Sequence, residues 1–173
     1  MKYLAAIALL VASPAAAEVV TTSPNGFEVR ETVTLVVPAD VAFAAFSDIA
    51  KWWDPEHTYG GDSANLSLNL SPGGCFCERF PKGGGIEHMR VTYLDPGKRI
   101  VFSGALGPLL YEATSGVMNV EVRTAAGGSQ LTLDYRAAGF FNGGGEKLAP
   151  QVDEVLAGQL KRLRTYAAGR PRT

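Results

Sequence analysis

The segment from Lys147 to Ala168 constrains the fold of this chain more than any other part of the sequence. Its apolar residues recur at helical spacing and form one stripe: Leu148, Val152, Val155, Leu156, Leu160, Leu163 and Ala167. Gly169 and Pro171 come directly after the stripe, and both residue types are common where helices end. The pattern predicts one long amphipathic helix, which must bury its apolar face against a second layer.

Upstream of this helix, short runs alternate between apolar and polar residues, a pattern typical of half-buried antiparallel strands. Glycine clusters such as Gly83-Gly84-Gly85 separate the runs and indicate turns. The predicted strands cover residues 27–37, 65–70, 75–80, 86–94, 99–103, 117–123 and 130–137.

The segment from Pro38 to Trp53 breaks the alternation and has apolar residues at helical spacing. We expect two short helices that meet near Ser47-Asp48, because both residues favour helix caps. The sequence therefore predicts an α+β fold. A curved antiparallel sheet of about six to seven strands wraps the C-terminal helix, with an apolar space between the two layers.

The order of these elements and the residues at their joints resemble the helix-grip fold of the START/polyketide-cyclase (SRPBCC) superfamily. The resemblance rests on five segments and on the C-terminal helix. The segments are Val37-Pro38-Ala39-Asp40-Val41, Trp52-Trp53, Pro72-Gly73-Gly74, Asp95-Pro96-Gly97-Lys98-Arg99 and Gly104 to Pro108. Within the superfamily, the chain is most similar to homologues of the activator of heat-shock protein 90 ATPase. The resemblance implies the fold and a ligand cavity. It does not imply one activity, because the superfamily includes lipid carriers, aromatase/cyclases and co-chaperones.

The first 17 residues have the features of a secretory signal peptide. Lys2 supplies a positive charge, residues 3–11 are apolar, and Ala15-Ala16-Ala17 offers a small-residue cleavage site. We expect cleavage after Ala17, a single domain over residues 18–173, and a periplasmic or secreted location. The apolar run is too short to cross a bilayer, for which about 20 residues are needed.

The charge pattern argues against a nucleic-acid partner, because the formal net charge is −1 and no basic stripe with interleaved aromatic residues is present. The sequence has no phosphate loop, Rossmann fingerprint, nucleophile elbow or HExxH motif, so no cofactor is predicted. The expected partner is a small hydrophobic ligand, and the sequence assigns no oligomeric state.

Bulky apolar and aromatic side chains are the candidates for lining the predicted cavity. They are Trp52, Trp53, Tyr93, Phe102, Leu109, Tyr111, Tyr135, Phe140, Phe141, Leu156 and Leu160. Ordinary core packing is the alternative for most of them. Residues 106–111 form part of a long connection between strands, which could act as a mobile lip over the cavity.

Glu78 and His88 are the weak catalytic candidates. If Phe80 faces Ile86 across a five-residue loop, Glu78 opposes His88 on the neighbouring strand, and a like-charge pair is avoided. Such a pair could do general acid/base work. A salt bridge on a solvated sheet face is the favoured interpretation.

Glu31 lies between Val29 and Val33 in the strand alternation, so its side chain is expected on the same inward face as theirs. A carboxyl group at such a position needs a partner or a raised pKa. Two placements remain open, one in the cavity wall and one at the edge of the sheet.

Cys75 and Cys77 lie two residues apart on a predicted strand, where their Cβ atoms would be nearly 7 Å apart. A disulfide needs about 3.8 Å, so we expect no bond unless Gly73-Gly74 distorts the strand. We also expect no metal site, because His57 and His88 are the two histidines available to complete one.

Three functional hypotheses follow. The first is an exported protein, not an enzyme, that binds a small hydrophobic or amphipathic ligand. The second is a cyclase- or hydrolase-type enzyme for a small aromatic or polyketide-like substrate, with Glu78 and His88 as acid and base and Tyr93 or Tyr135 orienting the substrate. The third, implied by the resemblance, is a co-chaperone-like interaction protein.

Overall fold

The computed structural model describes residues 16–171 of the chain. Eight strands and two α-helices make up the regular structure of these residues. The strands are β1 (Ala16–Ser23), β2 (Gly26–Leu35), β3 (Leu66–Leu68), β4 (Cys75–Arg79), β5 (Gly85–Asp95), β6 (Arg99–Ser103), β7 (Ala113–Ala125) and β8 (Gly128–Phe140). The helices are α1 (Ala39–Ser47) and α2 (Gly145–Ala168), with short 3₁₀ turns at Ile49–Lys51, Pro55–His57, Ser63–Asn65 and Gly107–Tyr111.

All eight strands form one curved, unclosed antiparallel sheet in the order β1-β2-β8-β7-β6-β5-β4-β3. Helix α2 packs against β1 and β2 and contacts α1. This is the predicted helix-grip α+β fold. None of the described helices has both the length and the apolar character that a membrane span requires.

Most element predictions agree with the structure. Strand β6 has the predicted bounds, and α1 ends at Ser47, where capping residues predicted a break. Strand β1 was missed, because Ala16–Ser23 lacks regular alternation and partly overlaps the predicted cleavage site. The rest of the predicted signal peptide, residues 1–15, lies outside the described residues.

The predicted register of β4 and β5 is wrong. Glu78 pairs with Ile86 rather than with His88. Two hydrogen bonds between Phe80 and the Gly83-Gly84 backbone close a tighter turn than the five-residue loop that we expected. Positive φ angles of 91° at Gly83 and 82° at Gly84 make this turn possible.

A β-bulge then places His88 inside the fold. Phe76 pairs with Met89 and Cys77 pairs with Glu87, so His88 is the extra residue of β5. As a result, His88 and its neighbour Met89 are both buried, which strict alternation does not allow.

The predicted absence of a disulfide is also wrong, because Cys75 and Cys77 are joined. Their Cα atoms are 5.4 Å apart, whereas residues two apart in a regular strand are separated by about 6.8 Å. The strand is therefore contracted at this point, next to the bulge and to Gly74, whose backbone is tightly packed against Asn69 and Ser71.

Candidate functional site

A cavity of about 380 Å³ lies between the first half of α2 and the inner face of the sheet. Its walls come from α2, from residues 53–59, from the lip at residues 106–111, from β8 and from β5. Leu148, Val152 and Val155 of the apolar stripe line it and remain partly exposed, whereas Leu160 and Leu163 further along α2 are buried. The first half of the predicted stripe therefore lines the cavity, and the second half packs in the core.

Five of the proposed cavity residues line this space: Trp53, Leu109, Tyr111, Tyr135 and Leu156. Trp52, Phe102 and Leu160 instead surround a void of about 10 Å³ in the core. That void is too small for an organic ligand. These three side chains are ordinary core residues.

Tyr93, Phe140 and Phe141 do not line the cavity. A second bulge between Val91 and Tyr93 turns Tyr93 outward, where it is 49% exposed beside the Arg99 guanidinium. Phe140 is 71% exposed, because it lies on the outer face of β8. Phe141 is buried, but its ring packs against Phe27.

The segment that carries Trp53 is fixed to α2 by polar contacts. The buried Gln159 accepts a hydrogen bond from the Asp54 N–H at 2.8 Å, and Arg162 donates to the Trp52 carbonyl at 3.2 Å. The Trp53 indole N–H donates to the His57 carbonyl at 3.0 Å. Since this N–H is satisfied within the segment, Trp53 presents an apolar ring to the cavity.

Glu78 and His88 form a buried pair at the inner end of the cavity. Oε2 of Glu78 lies 3.4 Å from Nε2 of His88, and their side chains are 0% and 5% exposed. His88 lines the cavity, and Glu78 lies behind it. The interpretation of these residues as a salt bridge on a solvated face is therefore wrong.

Backbone donors hold the Glu78 carboxylate in place. The Tyr59 N–H donates to Oε2 at 2.9 Å, and the Gly60 N–H donates to Oε1. A Cβ at Gly60 would lie 2.9 Å from Oε1, so this close approach needs a glycine. Both oxygens of this carboxyl group therefore act as hydrogen-bond acceptors.

The environment of His88 favours a neutral ring. Burial lowers the pKa of His88, although the neighbouring Glu78 acts in the opposite direction. Its ring lies between aromatic groups, with centroids 4.8 Å from Phe76 and 5.8 Å from Tyr59.

Tyr59 links the pair to the cavity mouth. Its hydroxyl donates to the Gly107 carbonyl at 2.8 Å, which connects residues 53–59 to the lip. Its ring also packs edge-on against the ring of Tyr111, with the two centroids 6.1 Å apart. Tyr111 is 77% exposed at the lip.

Tyr135 provides a second polar group in the wall. Its hydroxyl accepts a hydrogen bond from the Leu106 N–H at 3.1 Å, a contact that does not use the hydroxyl proton. Burial raises the pKa of Tyr135 to about 12, so the hydroxyl stays protonated at neutral pH.

Several cavity residues have no signal in the sequence. Residues 56–59 belong to an irregular segment without periodicity, so nothing indicated that Tyr59 faces His88. Val152 and Val155 were recognised as part of the helical stripe, but not as cavity residues.

Glu31 is buried between β2 and α2, at 1% exposure, rather than at an exposed sheet edge. Burial and the nearby Asp153 of α2 raise the pKa of Glu31 to about 8. Oε1 of Glu31 and Oδ1 of Asp153 are buried without a donor among the described residues. Burial without a donor favours the neutral form of the Glu31 carboxyl group.

One cluster of potential metal ligands occurs among residues 16–171, formed by Cys75, Cys77 and Glu87. The two sulfur atoms are joined in the disulfide and so do not offer thiolates to a metal ion.

Comparisons with known proteins agree with this architecture. The family described as polyketide cyclase / dehydrase and lipid transport has a model that matches residues 26–168. Among curated proteins, no sequence matches significantly. No comparison tests the similarity to activators of heat-shock protein 90 ATPase, which stays a prediction.

Solved structures share the fold. An uncharacterized protein from Rhizobium leguminosarum is 15% identical, with a TM-score of 0.60 over 91% of this chain and 100% of its own. Mll3558 from Rhizobium loti is 29% identical, with a TM-score of 0.57 over 82% and 95% of the two chains. The di-domain ARO/CYC StfQ from the steffimycin biosynthetic pathway is 15% identical, with a TM-score of 0.53 over 83% of this chain and 51% of StfQ.

Proposed function

The chain belongs to the polyketide cyclase / dehydrase and lipid transport family, and we propose that it binds a small hydrophobic or amphipathic ligand. The observation that carries the proposal is the cavity under the first half of α2. Its volume of about 380 Å³ falls in the range of small-molecule sites, which is roughly 300 to 1,000 Å³.

The chemistry of the walls supports a largely apolar ligand. Trp53, Leu109, Val152, Val155 and Leu156 present apolar surface, while His88 and Tyr135 add polar atoms at separate points. Burial of apolar ligand surface contributes about 25 cal/mol per Å². The polar atoms would then orient the ligand.

Native mass spectrometry of protein purified from its own host tests this proposal, because a bound molecule should add mass. A panel of lipids and aromatic compounds is then tested by thermal unfolding. A ligand at 100 times its Kd stabilises the fold by about 2.7 kcal/mol. For a domain of this size, that raises Tm by roughly 5–10 °C.

A matched pair of variants locates the site. Val155→Trp fills the cavity and should abolish the ligand-induced shift in Tm. Val117→Trp makes the same change at a residue on β7 that is 48% exposed, and should leave the shift intact. No bound mass together with no shift for any compound would overturn the proposal.

We propose that the protein is exported to the periplasm or secreted. The charged, apolar and small-residue parts of residues 1–17 support export, as does the Cys75–Cys77 disulfide, since disulfides persist in oxidising compartments. N-terminal sequencing after cell fractionation should find a chain that begins at Glu18. A chain in the cytoplasm that still begins at Met1 would contradict this.

Catalysis of a cyclase or hydrolase type is a second candidate function, favoured by the position of His88 in the cavity wall with Glu78 behind it. In either reaction type, His88 would act as the base that removes a proton. Exchange of the α-hydrogens of 2-tetralone for deuterium in D₂O, followed by NMR, tests this step. The protein should accelerate the exchange and the His88→Phe variant should not; equal rates would remove this candidate.

A further inference from the structure

We propose that the cavity selects neutral ligands that carry a hydroxyl donor, such as a phenol or an enol on an apolar skeleton. The group that selects them is Nδ1 of His88, held as a hydrogen-bond acceptor by Glu78. This inference rests on the proposed binding function and specifies the ligand class.

Backbone donors occupy both oxygens of Glu78. They accept hydrogen bonds from the N–H groups of Tyr59 and Gly60. Since both oxygens already act as acceptors, the imidazole is the natural donor in an interaction between Glu78 and His88.

The tautomer of His88 follows from its nearest acceptor. Its Nε2 is buried and has no hydrogen-bond partner among the described residues, and Oε2 of Glu78 lies 3.4 Å away. The proton of a neutral imidazole is therefore best placed on Nε2, because the carboxyl group of Glu78 is the acceptor beside it. The hydrogen bond made by one ring nitrogen fixes the role of the other. Nδ1 then carries a lone pair and acts as an acceptor.

The ring of His88 stays neutral. Its side chain is 5% exposed and is enclosed by the rings of Phe76 and Tyr59. Burial lowers the pKa of His88 despite the nearby carboxylate. A ligand that supplies no donor would leave Nδ1 buried and unpaired, which costs binding affinity.

Charge excludes a competing class of ligands. No lysine or arginine lies among the described residues that line the cavity, and Glu56 is at its rim. A carboxylate or phosphate group at the inner end would lie across one imidazole ring from the carboxyl group of Glu78, with no lysine or arginine in the lining to pair with it. Fatty acids and phosphorylated lipids therefore fit this site poorly.

Tyr135 adds a donor to the wall. Because its hydroxyl accepts from the Leu106 N–H and stays protonated, its own proton is available to a ligand oxygen. The cavity wall thus offers an acceptor at His88 and a donor at Tyr135. A hydroxylated ligand that also carries a carbonyl or ether oxygen can match both.

Three ligands of similar shape test the proposal: 4-propylphenol, 4-propylanisole and 4-propylbenzoate, measured by titration calorimetry at pH 7.5. The first offers a hydroxyl donor, the second offers no donor, and the third carries a negative charge. We expect the phenol to bind at least about tenfold more tightly than the anisole, the effect of one unpaired buried acceptor. We expect no measurable binding of the benzoate.

His88→Phe removes the acceptor and keeps an aromatic ring, so the phenol and the anisole should bind this variant with similar affinity. The ¹⁵N chemical shifts of His88 in the unliganded protein provide a readout independent of any ligand. They should show a protonated Nε2 and an unprotonated Nδ1. If the variant does not fold, these shifts and the wild-type affinities still decide the question.

The outcomes separate this inference from the proposed function. Equal binding of phenol and anisole by the wild-type protein, lost in Val155→Trp, would overturn the hydroxyl selection and leave ligand binding in place. Preferred binding of the benzoate, or a proton on Nδ1, would also overturn it. If no compound in this series or in the wider panel binds, the proposed function itself fails.

Discussion

The hydroxyl group of Tyr59 donates a hydrogen bond to the carbonyl oxygen of Gly107 at 2.8 Å. Two irregular segments are joined by this contact at the mouth of the cavity, one carrying Trp53 and the other forming the lip at residues 106–111. The backbone N–H of the same tyrosine binds Glu78. Tyr59 therefore couples the mouth of the cavity to its buried polar pair.

Tyr59→Phe should speed the release of a bound ligand. The change removes one hydrogen bond, which contributes about 1 kcal/mol, so we expect dissociation to be roughly fivefold faster. Displacement of the neutral probe N-phenyl-1-naphthylamine, followed by stopped-flow fluorescence, measures the rate. Tyr93→Phe, on the outer face of β5, is the control and should leave the rate unchanged. Identical rates for all three proteins would show that the lip is not held by this contact.

Glu78→Gln should lower the pKa of His88 further. In the wild-type protein, burial lowers this pKa, while the neighbouring Glu78 raises it. When Glu78 no longer raises the pKa of His88, burial lowers this pKa further. NMR titration of the His88 ring measures the shift. Glu87→Gln, at an exposed residue that pairs with Arg90, should not change the pKa of His88. A rise in the pKa after Glu78→Gln would contradict the role assigned to Glu78.

Glu31 should make stability fall as the pH rises. Its pKa is about 8 in the folded protein and 4.5 ordinarily, so the folded state binds the proton more tightly than the unfolded state does. The stabilisation is fully present below pH 4.5 and is lost as the pH rises through about 8. Each pKa unit corresponds to about 1.4 kcal/mol.

Urea unfolding at pH 5, 7 and 9 tests whether the stability falls as the pH rises. Glu31→Gln removes the titrating group, so the advantage of the wild-type protein at pH 5 should shrink or reverse by pH 9. Glu154→Gln changes an exposed glutamate on the same helix as Asp153 and serves as the control. Parallel curves for the wild-type and Glu31→Gln proteins would show that Glu31 does not bind its proton more tightly in the folded state.

The disulfide between Cys75 and Cys77 should protect both thiols. Under denaturing, non-reducing conditions, alkylation should add no mass, and after reduction it should add two adducts. The cross-link closes a loop of three residues, so the entropic model gives it only about 1.5 kcal/mol of stability. Two adducts without reduction would show that Cys75 and Cys77 are not bonded, as regular strand geometry predicts.

The β4–β5 hairpin shows where inference from the sequence stopped. Alternation located both strands, but it cannot report a bulge, because the extra residue leaves the local composition unchanged. The bulge turns His88 inward, and the tight turn at Gly83-Gly84 places Glu78 opposite Ile86 instead of His88. For the same reason Tyr93 was assigned to the cavity, although a second bulge turns it outward.

Phe140 and Phe141 illustrate the opposite case. Strand alternation continued from Tyr135 would have placed Phe140 outward and Phe141 inward, as the structure does. Strand alternation, and not ring size, therefore separates these two phenylalanines.

The sequence by itself determined an antiparallel sheet covered by one long C-terminal helix, the apolar stripe of α2, the bounds of β6 and the break after Ser47. These features depend on periodicity and capping within short segments of chain. Only the tertiary structure decided that Glu78 and His88 are buried together, that Glu31 faces Asp153, and that Cys75 and Cys77 approach closely enough to bond. Each of these depends on strand register or on the segments that cover the sheet, and residues distant in the chain set both.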